Sequence, residues 1–171
     1  MDANLLISFD PNHAGKAAEE VKAFLGEKVQ FLDSDVGGIF LMKVDGDSKH
    51  VVKRVKKECE SNPTKFEYTF HWVPIETWCK ADIDSIAKEM KKIDAKMDPS
   101  KTWKLDLGKR NFKADTVELI MKLTEYINKP KVNLKNPQTI VKVEIIGNTA
   151  GVSLLDADEL LDVPRIKKEF E

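Results

Sequence analysis

The three histidines, His13, His50 and His71, and the two cysteines, Cys59 and Cys79, are the residues from which a metal centre or a nucleophile would have to be built. Their spacing builds neither. The cysteines lie far apart, outside any CxxC or ligand-like cluster, and read as ordinary thiols rather than as a disulfide or zinc site. No serine or cysteine sits in a nucleophile motif. His50 stands among lysines on a helical segment and reads as solvated, and His71 in an extended segment reads as a hydrogen-bonding partner of a sheet. A general base needs a partner within reach, and none is indicated by the spacing. Asp82, Asp84, Asp94 and Asp98 interleave with Lys88, Lys91, Lys92 and Lys96, the pattern of a salt-bridge-laced helix surface. A nucleotide or methionine cofactor needs a glycine-rich turn between strand and helix. Gly37-Gly38 precedes a strand and Gly147 to Gly151 lies between two strands, so both read as turns. The expectation is a chain with no catalytic residue, metal or cofactor of its own.

The chemistry that the sequence does concentrate is positive charge. Across the chain 28 Lys and Arg stand against 29 Asp and Glu, a net charge of -1 that announces no nucleic-acid binder. Between Lys101 and Glu144, however, basic residues outnumber acidic ones ten to five. The sharpest group is Lys109-Arg110-Asn111-Phe112-Lys113, at the junction of a strand and a helix, where backbone N–H groups and a helix dipole add to the side-chain cations. Phe112 reads as packing under the helix entry in preference to stacking on a base. A solvated loop is the bland alternative for the whole cluster. On a second segment Lys49, Lys53 and Lys57 fall on one line with His50, Arg54 and Lys56 beside it, an ordinary amphipathic surface first and an accessory RNA contact second.

The elements that must position these groups follow from periodicity. Leu5 to Phe9 reads as a strand, the segment opened by Pro11 as a helix ended by Gly26, Val29 to Leu32 and Gly38 to Val44 as strands, the segment after Ser48 as a helix, and Phe66 to Val73 as a strand. The order is β-α-β-β-α-β, the ferredoxin-like arrangement, over residues 1–77. Pro74 to Cys79 reads as a connection. From residue 78 to 171 a second α/β domain is expected: a helix from Asp82 to Asp98-Pro99, a strand from Thr102 to Leu107, and a helix capped by Asp115 with Val117, Ile120, Met121, Thr124 and Ile127 inward. Extended pieces follow at Lys131 to Leu134, Thr139 to Ile146 and Ala150 to Leu155, and Arg165, Lys167 and Lys168 read as a charged tail. The fold class is thus α+β.

A content of 42% hydrophobic and 33% charged residues in 171 suits one large or two small folded domains. No run approaches the roughly 18 to 20 apolar residues that span a bilayer. The amino end lacks the features of a signal peptide, so the expected location is cytoplasmic, away from membranes.

The segment from Trp103 to Ser153 resembles a THUMP domain. A strand runs into Gly108-Lys109-Arg110 and the Asp115-capped helix follows. Then come Val132-Asn133-Leu134-Lys135-Asn136-Pro137, the strand Ile140-Val141-Lys142-Val143-Glu144-Ile145, and Ala150-Gly151-Val152-Ser153. Such domains usually follow a ferredoxin-like domain and bind tRNA around its acceptor end, so the resemblance covers nearly the whole chain. They are commonly fused to methyltransferase, deaminase, thiouridine-synthesis or pseudouridine-synthase domains, none of which fits in the residues left over. The chain is similar to the stand-alone THUMP proteins that act as tRNA-binding adaptors of a tRNA cytidine acetyltransferase, which makes 4-acetylcytidine in the D-arm. The resemblance implies that such a partner brings acetyl-CoA and ATP while this chain holds the tRNA. It implies RNA contacts at Lys109, Arg110 and Lys113, with Lys135, Lys142 and Lys104 as further candidates. The stretch before the helix is less arginine-rich than in many members, and Asn133 and Gln138 stand where the family often has aspartate. Two alternatives remain open: a protein-interaction module docking through Trp72, Trp78 or Phe170, and the RNA-binding subunit of a split thiolation or methylation enzyme.

Overall fold

The computed structural model describes all 171 residues, in two units: Met1–Ile75 with Asp158–Glu171, and Glu76–Ala157. The fold is α+β, with two sheets and five α-helices.

In the first unit the chain runs β1 (Leu5–Phe9), α1 (Ala14–Leu25), β2 (Gln30–Leu32), β3 (Ile39–Lys43), α2 (Ser48–Ser61) and β4 (Thr69–Pro74), the β-α-β-β-α-β order read from the sequence. Asp10 accepts a hydrogen bond from the backbone N–H of Asn12, opening the Pro11–His13 turn that leads into α1, and Gly26, at φ 98°, ends that helix in a conformation that L side chains resist. Asp47 caps α2 by accepting from the Lys49 N–H at 2.9 Å. The sheet is antiparallel throughout, in the order β2-β3-β1-β4 plus one further strand. All five residues of the central β1 are buried. Leu5 and Ile7 pack with Met42, Val55, Phe66 and Trp72 beneath the helices, burial that stabilises by about 1.5–3 kcal/mol for each such side chain. The Trp72 indole is buried without penalty because its N–H donates to the Thr69 hydroxyl at 3.0 Å. Glu20 of α1 pins the start of β4, its carboxylate accepting from the backbone N–H groups of Glu67, Tyr68 and Thr69 and from the Thr69 hydroxyl.

The further strand corrects the expected tail. β9 (Leu161–Asp162) pairs antiparallel with β4, and α5 (Val163–Glu169) buries Val163 and Ile166 in the first unit's core. Leu161, Val163 and Ile166 supply too short an apolar pattern to stand out among Arg165, Lys167 and Lys168. The second unit therefore spans 76–157, in place of the expected 78–171.

That unit contains β5 (Thr77–Lys80), α3 (Ile83–Lys96), β6 (Trp103–Arg110), α4 (Thr116–Thr124), β7 (Thr139–Ile146) and β8 (Thr149–Asp156), with strand order β5-β8-β7-β6. β6 and β7 are parallel, and the other pairs are antiparallel. One sheet face carries Trp103, Leu105, Val141, Val143, Ile145 and Val152 against α3 and α4. Three expectations change. The supposed connection at 74–79 runs from the last residue of β4 into edge strand β5. Lys131 to Leu134 makes one bridge, Val132 to Trp103, and no strand. Finally, α4 buries Leu119 and Leu123 while Val117 and Met121 are exposed, because apolar residues occur all round this helix and its inward face is chosen by the sheet.

Candidate nucleic-acid interface

The strand directions of the second unit gather its chain reversals at one end. β8 is antiparallel to both β5 and β7, and β6 is parallel to β7, so β5, β6 and β7 all point the same way. A single register row, Arg110–Ile146–Thr149–Lys80, crosses their final residues. At the usual interstrand spacing of about 4.8 Å the two cations of that row stand roughly 14 Å apart, on the same sheet face. Both helices start at this end, which is where α/β folds with parallel strands commonly receive ligands.

Each helix start is closed by its own cap. Asp82 accepts from the Ser85 N–H at 2.7 Å and Asp115 from the Glu118 N–H at 2.9 Å. The Ser85 backbone N–H, followed by its hydroxyl, holds the Asp82 carboxyl below its ordinary range. The first-turn amides that remain still face the same end of the sheet.

Between β6 and α4 the chain turns through Asn111, whose φ of 54° is left-handed, a region that asparagine tolerates better than most residues. The Gly147 N–H donates to the Arg110 carbonyl at 2.8 Å and ties the β7–β8 turn to this junction. Lys109 points to the helix-bearing face and donates through its ammonium to the Ala114 carbonyl. It braces the turn from inside, and the neighbouring Arg110 and Lys113 are the exposed cations. Phe112 packs against the core, as expected.

The remaining sequence candidates lie elsewhere. Lys104 is six residues back along β6, about 20 Å from Arg110 at the strand rise. Lys135 is exposed in the loop before β7, at the opposite end of the sheet. Asn133 shapes that loop by accepting from the N–H groups of Lys135 and Asn136, both at 3.1 Å. Lys142 is a correction: it is only 7% exposed, with its ammonium 2.8 Å from Glu144 and 3.4 Å from Asp106. Burial presses its pKa down, but the two carboxylates outweigh that and hold it above the ordinary lysine value. It is an internal counter-ion, buried and neutralised by two carboxylates, and it does not face a phosphate at the surface. Gly108 makes room for this arrangement, because a Cβ there would collide with the Glu144 carboxylate.

The sequence pattern does not single out Lys80, because it follows the stretch that reads as a connection. The alternation of Thr77 and Cys79 with Trp78 and Lys80 is the only signal of the strand that carries it. Burial pushes the thiols of Cys59 and Cys79 up to about 11, far from a neutral-pH nucleophile.

Residues 80–155 match the family model of the THUMP domain. The chain therefore contains a THUMP domain. Its limits fall within the second unit, and the domain includes Lys80, Arg110 and Lys113.

Among solved structures, PH1313 from Pyrococcus horikoshii OT3 is similar at 16% identity and a TM-score of 0.56, over 90% of this chain and 55% of that one. TrmN from Thermus thermophilus is similar at 14% identity and a TM-score of 0.56, over 88% of this chain and 44% of that one. A possible methylase from Clostridium difficile 630 is similar at 12% identity and a TM-score of 0.55, over 88% and 40%. At these identities the likeness is one of fold, and the chain spans about half the length of these proteins or less. No curated protein matches the sequence. No helix is long and apolar enough to cross a membrane.

Proposed function

We propose that the protein is a non-catalytic tRNA-binding adaptor, which grips tRNA through the THUMP unit and presents it to a modifying enzyme. The observation that carries this reading is the convergence of Lys80, Arg110 and Lys113 with two helix starts at one end of a THUMP sheet. Cations on strand ends and turns hold phosphates without reading bases, so the mode of binding is backbone and shape recognition. The unit has the charge for it, with 15 Lys and Arg against 12 Asp and Glu between residues 76 and 157, whereas the first unit holds 13 against 17. The modification we assign to the pair is 4-acetylcytidine formation in the D-arm. The partner is a tRNA cytidine acetyltransferase that supplies acetyl-CoA and ATP chemistry, acting in the cytoplasm. The test is a filter-binding titration of bulk tRNA at two salt concentrations, followed by acetylation of that tRNA by the candidate enzyme with and without this chain. Steep salt dependence and acetylation that requires the chain are expected; salt-insensitive binding or chain-independent acetylation overturns the reading.

A protein-interaction module without RNA binding is favoured by a different observation, the exposure of Val117 at 66% and Met121 at 65% on α4. Trp72, one of the docking residues expected for that reading, is fully buried, while Phe170 is exposed. This second reading requires that the isolated chain bind no tRNA. A third role, as RNA-binding subunit of a split thiolation or methylation enzyme, differs in the enzyme that co-purifies.

A further inference from the structure

α2 of the first unit bears Lys49, His50, Lys53, Arg54, Lys56 and Lys57, with no acidic residue between Ser48 and Lys57. Composition does not account for this, because the unit as a whole is acidic. Its inward face is Val52, Val55 and Cys59, so the cations occupy the remaining circumference. Two of the flanking acids engage Lys53 and His50 at the surface. Asp158 lies 3.3 Å from Lys53, with the two side chains 53% and 44% exposed, and Asp47 lies 3.8 Å from His50. Exposed pairs of this kind are weak enough to yield to a phosphate.

Beside the helix is a cleft of about 630 Å³, between α2, the end of α1 and the β2–β3 edge. Leu25, Val29 and Val51 form its apolar part, and Lys28, Lys43 and Arg54 its cations. Arg54 is oriented by donating to the Phe24 carbonyl, in the last turn of α1, at 3.4 Å. A planar guanidinium held by one N–H keeps further donors for a phosphate. Glu27 and Asp45 also line the cleft and oppose a small isolated anion. A polyanion that reaches the row of cations along α2 as well overcomes that opposition. Lys49, Lys53 and Lys57 are one turn apart, about 6 Å along the axis at each step, a ladder suited to consecutive phosphates.

We propose that this cleft and the basic face of α2 form a second RNA contact, taking a stretch of phosphodiester backbone with a ribose against the apolar part of the cleft. The inference rests on the tRNA-binding reading, and adds to it a site in the ferredoxin-like unit, distinct from the strand ends of the THUMP unit. The test uses the full chain and bulk tRNA, titrated over a range of salt concentrations. The triple variant Lys28→Gln, Arg54→Gln, Lys57→Gln is expected to bind about tenfold more weakly and to flatten the slope of log affinity against log salt by about 2 to 3. The double variant Lys28→Gln, Lys57→Gln leaves the Arg54 contact with α1 intact and is expected to lose affinity and slope in smaller measure. Unchanged affinity and slope in the triple variant, while Arg110→Ala with Lys113→Ala weakens binding, would overturn the second contact and leave the first reading standing. If the unaltered chain binds no tRNA, both fall together.

Discussion

Arg110 and Lys142 are cations on the same face of the same small sheet, and the structure gives them opposite work. Arg110 closes its strand at the end where helices begin, exposed, with its backbone carbonyl bonded to the β7–β8 turn and its guanidinium at the surface. Lys142 stands in the middle of the neighbouring strand, opposite Asp106 on β6 and Ser153 on β8, and its charge is neutralised by two carboxylates. A cation in a strand is therefore informative about ligands only once its place along the strand is known. In the interior of a sheet the desolvation of an ammonium has to be offset by buried partners, whereas at a strand end water or a phosphate does the same.

The largest effect should come from breaking the interior member of this pair. Lys142→Met leaves Glu144 facing Asp106 without a counter-charge, at a cost of about 3 kcal/mol. Chemical denaturation should show the loss in the transition of the THUMP unit; on the tRNA-binding reading, affinity per folded molecule stays as it was. A smaller loss is expected from Gly108→Ala, where the added Cβ drives the Glu144 carboxylate off its seat. Overpacking of this kind costs about 1–3 kcal/mol. If Gly108→Ala is as stable as the native chain, the carboxylate is free to move and the ion cluster is looser than its geometry implies.

The end-of-strand member should behave in the reverse way. Arg110→Ala with Lys113→Ala changes stability by no more than about 0.5 kcal/mol, the usual range for surface substitutions. On the tRNA-binding reading it removes roughly two phosphate contacts, so the salt slope should fall by about 2 and affinity by about tenfold. Lys80→Ala, across the same register row, should remove about one more. A Lys80 variant with full affinity would confine the contact to the β6–α4 turn.

The same distinction explains what was legible in the sequence. The ferredoxin-like order was readable because the first unit carries local punctuation: Pro11 and Gly26 around α1, Asp47 before α2, and runs of apolar and aromatic residues in β1, β3 and β4. β9 and α5 were not, since their three apolar residues acquire meaning only beside β4, nearly ninety residues earlier in the chain. Similarly, α4 announced its start through Asp115 but not its inward face, because Val117 and Met121 are as apolar as the Leu119 and Leu123 that the sheet selects. The candidate site was half legible: Arg110 and Lys113 follow from local charge, whereas Lys80 enters through strand pairing and Lys142 leaves through burial. Long-range pairing fixes both, and periodicity within one segment carries no record of it.

The smallest effect concerns the helix starts that flank the proposed contact. The Asp82 carboxylate, hydrogen-bonded by the Ser85 N–H and hydroxyl in its charged form, has a pKa below its ordinary value of 3.8. A group depressed in the folded state contributes stability that is complete above its unfolded pKa and is lost as pH falls through the lower folded value. The cap should therefore hold α3 at full strength at neutral pH and begin to weaken only below about pH 4. Asp82→Asn keeps a capping oxygen but cannot titrate, so its thermal midpoint should match the native chain near neutrality within a degree or two and fall less steeply in acid. A variant that follows the native acid profile would show that the sensitivity originates in other carboxylates. Because Asn also removes a negative charge from the end of the sheet that bears Lys80 and Arg110, tRNA binding by the same variant should be equal or slightly tighter. Weaker binding would mean that the cap orders the contact surface more than its charge opposes the phosphate.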